Sequence, residues 1–599
     1  MTQTLRPISV VARRVARGAA VVACAVAAFV STGASAQVLP LLPSESLVVI
    51  KVNNLQAVSD KAAGLIKDWG LDQMRPELTD PLGSVLTMTG MGAGLDKAGE
   101  VGVAILPPKQ GGQQGPPDFV ALVPVTDYKA FIGALPKATT EGELTTIKAG
   151  GRPVFVTNWG KYAAVSPNQA LATTKGQGIV PPAASAKELD TKDVVVFANF
   201  KEIRKIALPQ FQMMKPFILQ QMNQGMQQAP NANPQMVAMM SAYMGQILGA
   251  VETFMTDADG VTFGITLDKD GIATTLLTDF SPGSYLGKAV AGAKNTGDTL
   301  TGGLPAGKYM LYGGMVFSPN SAAMFNDFMA PIEKAIAGSG DAGKPAAAYF
   351  AGARDFMGAV RQMSFGLMAP PANALQGGGF VQGVSVITGD ADKMGAAMKA
   401  LTDNSTAMMA ASGVANVKTV VTPGAKVGTA TMDQYTTTYG EAQNAQEQQM
   451  SMLMQMIYGK GGPSGYVGKV AADKVVHTIG GGEALAASAV QAVGQNADPL
   501  AQGAAANVVA KLPKERVAVF FVAVDQIATT VLDVMAAKGV PGGVKLPPNL
   551  PPLGAAVVVD GSAVRVDGFI PSATVKSMIA AGLQMYLQQM PGGAQGGGL

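Results

Sequence analysis

The residues best suited to chemistry lie together in "DKVVHTIGGGEALAAS", residues 473–488, where His477, the only histidine of 599 residues, precedes Gly480-Gly481-Gly482. An imidazole beside a glycine turn suits a general base, a metal ligand or the rim of an anion-binding loop. A metal site would need further ligands, and there is no second histidine and only one cysteine, Cys24. A serine nucleophile would sit on a G-x-S-x-G elbow and a phosphate loop would read G-x-x-x-x-G-K-[ST], and neither pattern is present. An internal comparison argues further. "KVVHTIGGGEAL" from Lys474 lines up with "KYAAVSPNQAL" from Lys161, where the matching strand carries alanines and the turn is "SPNQ". His477 therefore reads as a satisfied strand histidine, and the glycines as a turn before a helix.

Two other groups of residues invite the same question. Methionine recurs at every second position in "MSMLMQM", Met450 to Met456, and clustered thioethers bind Cu(I) in exported copper proteins. On a helix, residues two apart face different sides, so packing or an apolar groove is the better reading. Met236, Met239, Met240 and Met244 share a helical face, as an ordinary core stripe does. "TDADG" from Thr256 and "LDKDG" from Leu267 resemble fragments of calcium loops but lack the third ligand position and the closing glutamate, so both read as turns. No carboxylate pair stands out as a glycosidase dyad. No residue is assigned a catalytic, cofactor-binding or metal-binding role, and no cofactor is expected.

The elements that carry these residues are repetitive. "LPSESLVVIKV" from Leu42, "LDTKDVVVFANF" from Leu189, "LPAGKYMLYGGMVF" from Leu304 and "LPKERVAVFFVAV" from Leu512 each place a polar turn before a β-branched or aromatic run, the mark of a buried strand. A helix follows each, as in "NNLQAVSDKAAGLIKDWG" with Asn54 as N-cap. A hairpin comes next, closed at Asp270-Gly271 and Asp560-Gly561 in the clearest cases and by "PPKQGGQQGPP" and "PPANALQGGG" in the others. A short helix ends every unit. The fold class is thus α+β, with repeated β-α-β-β-α units whose antiparallel sheets are packed by helices in two similar halves. The halves are placed at 37–300 and 301–590. A Met/Gln-rich helical insert is expected near 208–248, another Met/Gln-rich helix near 441–458, and a flexible Gly-rich tail at 591–599.

The N-terminus has arginines at 6, 13, 14 and 17, an apolar run from Gly18 to Val30 and the pattern Ala34-Ser35-Ala36. It reads as a signal peptide, residues 1–36, cut after Ala36. Arg13-Arg14 lacks the bulky apolar partner of a twin-arginine signal, and Cys24 lacks a leucine-led lipoprotein box. Of 44 basic residues the mature chain loses four arginines and keeps 40, against 41 acidic ones, a net charge of −1. The pI of 8.6 belongs to the precursor, so no nucleic-acid partner is expected. Cys24 leaves with the signal, which excludes disulfides and thiolate chemistry from the mature chain.

The "LP" strand openings, each followed by helix and hairpin, resemble the large secreted bacterial proteins that carry domains of unknown function. The resemblance covers most of the mature chain and implies a periplasmic or extracellular location and this fold style. It supplies no catalytic residues. The expected function is a non-enzymatic exported binding or structural protein with an envelope or extracellular partner. The alternatives are a carrier of a lipid or other apolar ligand on Met-rich helices, and a hydrolase with an unrecognised site.

Overall fold

A computed structural model describes residues 38–589, apart from 109–116, 150, 229–233, 339–342, 371–380, 412–416, 442–444, 460, 501–502, 538 and 540–542. The expected signal peptide, with Arg13-Arg14, Cys24 and Ala36, lies outside the described residues, as do the tail 591–599 and most of both proline-rich hairpin tips. Helix and strand are mixed throughout, and the strand ladders are antiparallel, as expected of an α+β chain.

The chain forms two compact units. The first holds the described residues up to Pro209, Met255–Ser284 and Ala563–Val566, and the second holds Gln210–Phe254, Tyr285–Ser562 and the residues from Asp567. The first unit has strands β1 (Val48–Val52), β2 (Val101–Ile105), β3 (Phe119–Pro124), β4 (Thr139–Glu141), β5 (Leu144–Ala149), β6 (Arg152–Asn158), β7 (Tyr162–Ser166), β8 (Val194–Asn199), β9 (Ala258–Asp268) and β10 (Gly271–Phe280). They pair in the order β10-β9-β8-β1-β2-β3-β7-β6-β5-β4.

β1 lies in the interior of this sheet, which is why "VVIKV" is almost wholly apolar. Its one charge, Lys51, is 1% exposed. The lysine Nζ lies 3.1 Å from Glu100 and donates to the Leu189 carbonyl at 3.0 Å. Glu100 in turn accepts from the Val38 amide and the Tyr162 hydroxyl. Such a buried charge is tolerated only because it is paired and hydrogen-bonded. The helix Leu55–Asp68 follows β1. Asn54 stands at its N-cap position with φ of 80°, yet its side chain makes no capping bond, so the expected cap is right in place and wrong in chemistry. The helix Tyr128–Ala134 follows β3 and is capped by Asp127, whose Oδ1 accepts from the Ala130 amide at 3.0 Å. It seats Phe131, fully buried, against Val156 and Ala163, a burial that contributes about 1.5–3 kcal/mol.

The second unit has β11 (Tyr309–Val316), β12 (Val360–Met368), β13 (Gln382–Gly389), β14 (Val417–Val427), β15 (Ala430–Tyr439), β16 (Ser464–Ala471), β17 (Lys474–Ile479), β18 (Ala518–Val522), β19 (Leu553–Asp560) and the part from Asp567 of β20 (Ala563–Pro571), whose first four residues fall in the first unit. Their order is β20-β19-β18-β11-β12-β13-β17-β16-β15-β14. The helix Ala391–Ala411 follows β13, and Asp390 accepts from the Lys393 amide at its start. Ala391 and Met394 pack on Ile387 and Val475 of the sheet. In the Met/Gln-rich insert, the helix Pro234–Asp257 packs Met239 and Ala242 against Ile332 and Ile336, which is why this segment clusters with the second unit. Met240 of the same expected stripe is 38% exposed.

Candidate ligand groove

His477 lies inside β17, opposite Ser385 on β13 and Val467 on β16. The Tyr435 ring stacks on the imidazole at 5.5 Å, with 10° between the ring planes. Tyr435 Oη lies 3.0 Å from His477 Nε2 and donates to the Thr478 carbonyl at 2.8 Å. A phenol has one proton, so Nε2 must carry its own and donate it to Tyr435, which leaves Nδ1 bare. Burial lowers the His477 pKa to about 4, and the ring is neutral at ordinary pH. Burial likewise pushes the Tyr435 phenol up. The contact depends on Gly465, which stands opposite Tyr435 on β16. A Cβ there would collide with the Thr478 carbonyl oxygen and crowd the Tyr435 hydroxyl, so the ring crosses β16 only because position 465 has no side chain.

The ladder corrects the sequence alignment by one residue. In the first unit Val125 N–H bonds the Lys161 carbonyl, and in the second Gly389 N–H bonds that of Asp473. His477 opposite Ser385 therefore matches Val165 opposite Ala121, not an alanine of β7. Counting along the same ladders, Tyr435 takes the position of Ile147. An apolar valine–isoleucine pair thus stands where the second unit has histidine and tyrosine.

Tyr435 also lines a groove of about 550 Å³ between the helix Ala391–Ala411 and strands β14–β17. Its apolar floor includes Met398, Val421, Val467 and Val475. Lys399 is held by Asp403 at 2.6 Å and Lys469 by Asp392 at 2.7 Å. Asp433 forms no ion pair among the described residues, and its carboxylate accepts only the Gly424 amide at 3.3 Å. With two pairs neutralised, the uncompensated charge of the groove is this carboxylate. The first unit has a groove of about 460 Å³ at the matching place, beside the helix Tyr128–Ala134. There Thr145 and Asn158 stand at the ladder positions of Asp433 and Lys469, and Thr145 is engaged by Thr140 at 3.0 Å. A larger cleft of about 680 Å³, between the helices Pro319–Ala337, Lys344–Ala359 and Ala391–Ala411, is lined by five alanines, Gly358 and the polar residues Asn326, Asp327, Arg354, Asp355 and Lys393. Its Arg354 and Asp327 are engaged by Glu333 and Tyr285.

The other sequence candidates fall apart in space. Gly480, Gly481 and Gly482 all have positive φ, 60° to 67°, and turn the chain from β17 into the helix Gly482–Gly494. Glycine is required there by backbone conformation. Asp259 of "TDADG" takes Arg204 at 3.1 Å and the Ser281 hydroxyl at 2.7 Å, while Asp270 of "LDKDG" takes Lys269 at the hairpin tip. Met452, on the helix Ala445–Tyr458, is 56% exposed. Among the described residues no group of three or more histidine, cysteine, aspartate or glutamate side chains is disposed to hold a metal, and no helix is long and apolar enough to cross a membrane. Among the described residues Ser385, opposite His477 on β13, makes no hydrogen bond to the imidazole. Sequence reasoning missed Tyr435 and Asp433, whose only signal was a tyrosine and an aspartate in the threonine-rich strand "ATMDQYTTTY", and Lys469 in "SGYVGKVA", which carried none. No protein-family model, curated protein or solved structure matches this chain.

Proposed function

We propose that this chain is a non-enzymatic exported binding protein, built from two copies of one arrangement of β-α-β-β-α units, that acts through the groove of its second unit. The matching strand orders of the two units and their matching aspartate caps, Asp127 and Asp390, support the two-copy reading. One observation carries the functional reading. At matched ladder positions the second groove is lined by Asp433, Lys469 and Tyr435, the last stacked on His477, where the first unit has Thr145, Asn158, Ile147 and Val165. Folding alone explains what the two share, so selection on a ligand is the economical account of what they do not share. Export rests on the sequence of residues 1–36. Binding without catalysis rests on the neutral imidazole, whose partner Tyr435 is spent on the Thr478 carbonyl, and on the lack, among the described residues, of a serine, threonine or lysine bonded to it.

Exposed Met213 and Phe217, 74% and 61% accessible on the helix Phe200–Gln227, favour a carrier of an apolar ligand as the second reading. One variant separates the two. Gly395 lines the groove, and a Cβ added there meets nothing within 4 Å, so Gly395→Phe should fold with its ring directed into the groove. Native mass spectrometry of the mature chain taken from its producing cells is expected to show a small-molecule adduct that Gly395→Phe abolishes. An adduct that survives in Gly395→Phe, or turnover of an ester or glycan library, overturns the proposal.

A further inference from the structure

We infer that the second unit's groove selects an organic cation, an amine with an apolar body, with Asp433 as its counter-ion; this rests on the groove being the binding site. The groove has two chemical parts. Met398, Val421, Val467 and Val475 form a floor that buries hydrocarbon, and Asp433 offers a carboxylate that no cation of the described chain neutralises. An anion at the rim would compete with Asp403 and Asp392, which hold Lys399 and Lys469 at 2.6 and 2.7 Å in exposed pairs, and would meet the like charge of Asp433. An ammonium approaching Asp433 displaces nothing except water and the long Gly424 contact. Thr402, also in the lining, adds a hydroxyl acceptor for a further N–H group, while the Thr431 hydroxyl already accepts from Lys426 Nζ at 2.7 Å. One face of Tyr435 is taken by His477, so its ring serves as a wall of fixed orientation. The first groove, with Thr145 bonded to Thr140 in place of the carboxylate, is an internal control with no counter-ion at this position.

The experiment titrates the mature chain, residues 37–599, with n-hexylammonium and separately with hexanoate. Heat is read by calorimetry, and the signal of Met398 is read by 13C-methyl NMR. Hexylammonium is expected to bind once and to shift Met398, and hexanoate is expected to do neither. Asp433→Asn should weaken hexylammonium at least about 10-fold, the loss of one charge-assisted contact. Lys418→Gln, at an exposed position of β14 outside the groove lining, should leave the affinity unchanged. Folding of Asp433→Asn is checked by an unchanged imidazole signal from His477. Equal binding of hexanoate, an Asp433→Asn affinity equal to the parent's, or no binding of hexylammonium overturns the inference. If any of these occurs while a native adduct remains sensitive to Gly395→Phe, the groove is still the binding site and only the ligand class is wrong. Loss of that sensitivity removes both.

Discussion

Replacing His477 by valine, the residue of the matching ladder position in the first unit, should change the sign of its effect on stability between neutral and acidic pH. In the folded chain the imidazole pKa is lowered to about 4 from 6.5. As pH falls, the unfolded chain therefore takes up the proton first. Stability that is fully present above pH 6.5 is lost progressively as pH falls and is gone below about 4. At about 1.36 kcal/mol per unit of pKa the loss approaches about 3 kcal/mol, an upper figure because the ring keeps some solvent contact. At pH 7.5 the valine variant forgoes the bond to Tyr435 and the ring stack, while Tyr435 keeps its bond to the Thr478 carbonyl. That costs about 1–1.5 kcal/mol. His477→Val should therefore be the less stable protein at pH 7.5 and the more stable one at pH 4. Urea unfolding followed on the 13C-methyl signals of Met394 and Met432, both buried in the second unit, reads the difference. Stability curves of parent and variant that run parallel from pH 7.5 to 4 would refute the reasoning. Because the chain has one histidine, a single imidazole signal in the folded parent measures the pKa directly.

Other outcomes follow from the same contacts. Gly465→Ala should push Tyr435 off His477, destabilise the second unit and raise the imidazole pKa toward 6.5 in the same NMR titration; an unmoved pKa would show that the glycine is not what admits the ring. Lys51→Met should destabilise the first unit by about 3–5 kcal/mol by leaving Glu100 buried without its cation, and Lys51→Met/Glu100→Gln should recover most of it. Both tryptophans, Trp69 and Trp159, belong to that unit, so their fluorescence in urea reports the cycle. Burial raises the Asp279 pKa against the Ser185 hydroxyl that donates to it. Its folded value lies above the unfolded one, so the carboxylate opposes folding as pH rises past it. Asp279→Asn should raise Tm at pH 7 more than at pH 3, and a larger gain at pH 3 would contradict this sign.

Much of the fold was legible because its signals are local. Asp270-Gly271 and Asp560-Gly561 mark their hairpins through conformations that short loops demand, and both β9–β10 and β19–β20 are hairpins. The alternation of "GVTFGITLD" and "GIATTLLTDF" follows from a sheet with unlike faces. Three glycines in succession announced the turn into the helix Gly482–Gly494. Asn54 was misread because the residue type signals a cap, whereas the direction of its side chain depends on the packing of the helix start.

The sequence by itself determined strand, turn and helix, and showed that His477 lacks partners for a metal or a nucleophile. Only the tertiary structure decided what surrounds that histidine. Identity alone paired Lys474 with Lys161, but backbone hydrogen bonds pair Asp473 with that lysine, and a one-residue slip sends every side chain to the opposite face. Tyr435 is 42 residues from His477 and Glu100 is 49 from Lys51. Neither pair follows a helical or strand period, because pairing across strands is set by sheet order. Asp433 is likewise an ordinary aspartate in sequence. It became the open charge of a groove when Lys399 and Lys469 were taken by Asp403 and Asp392, a division of charge that exists only once the strands and the helix Ala391–Ala411 are packed together.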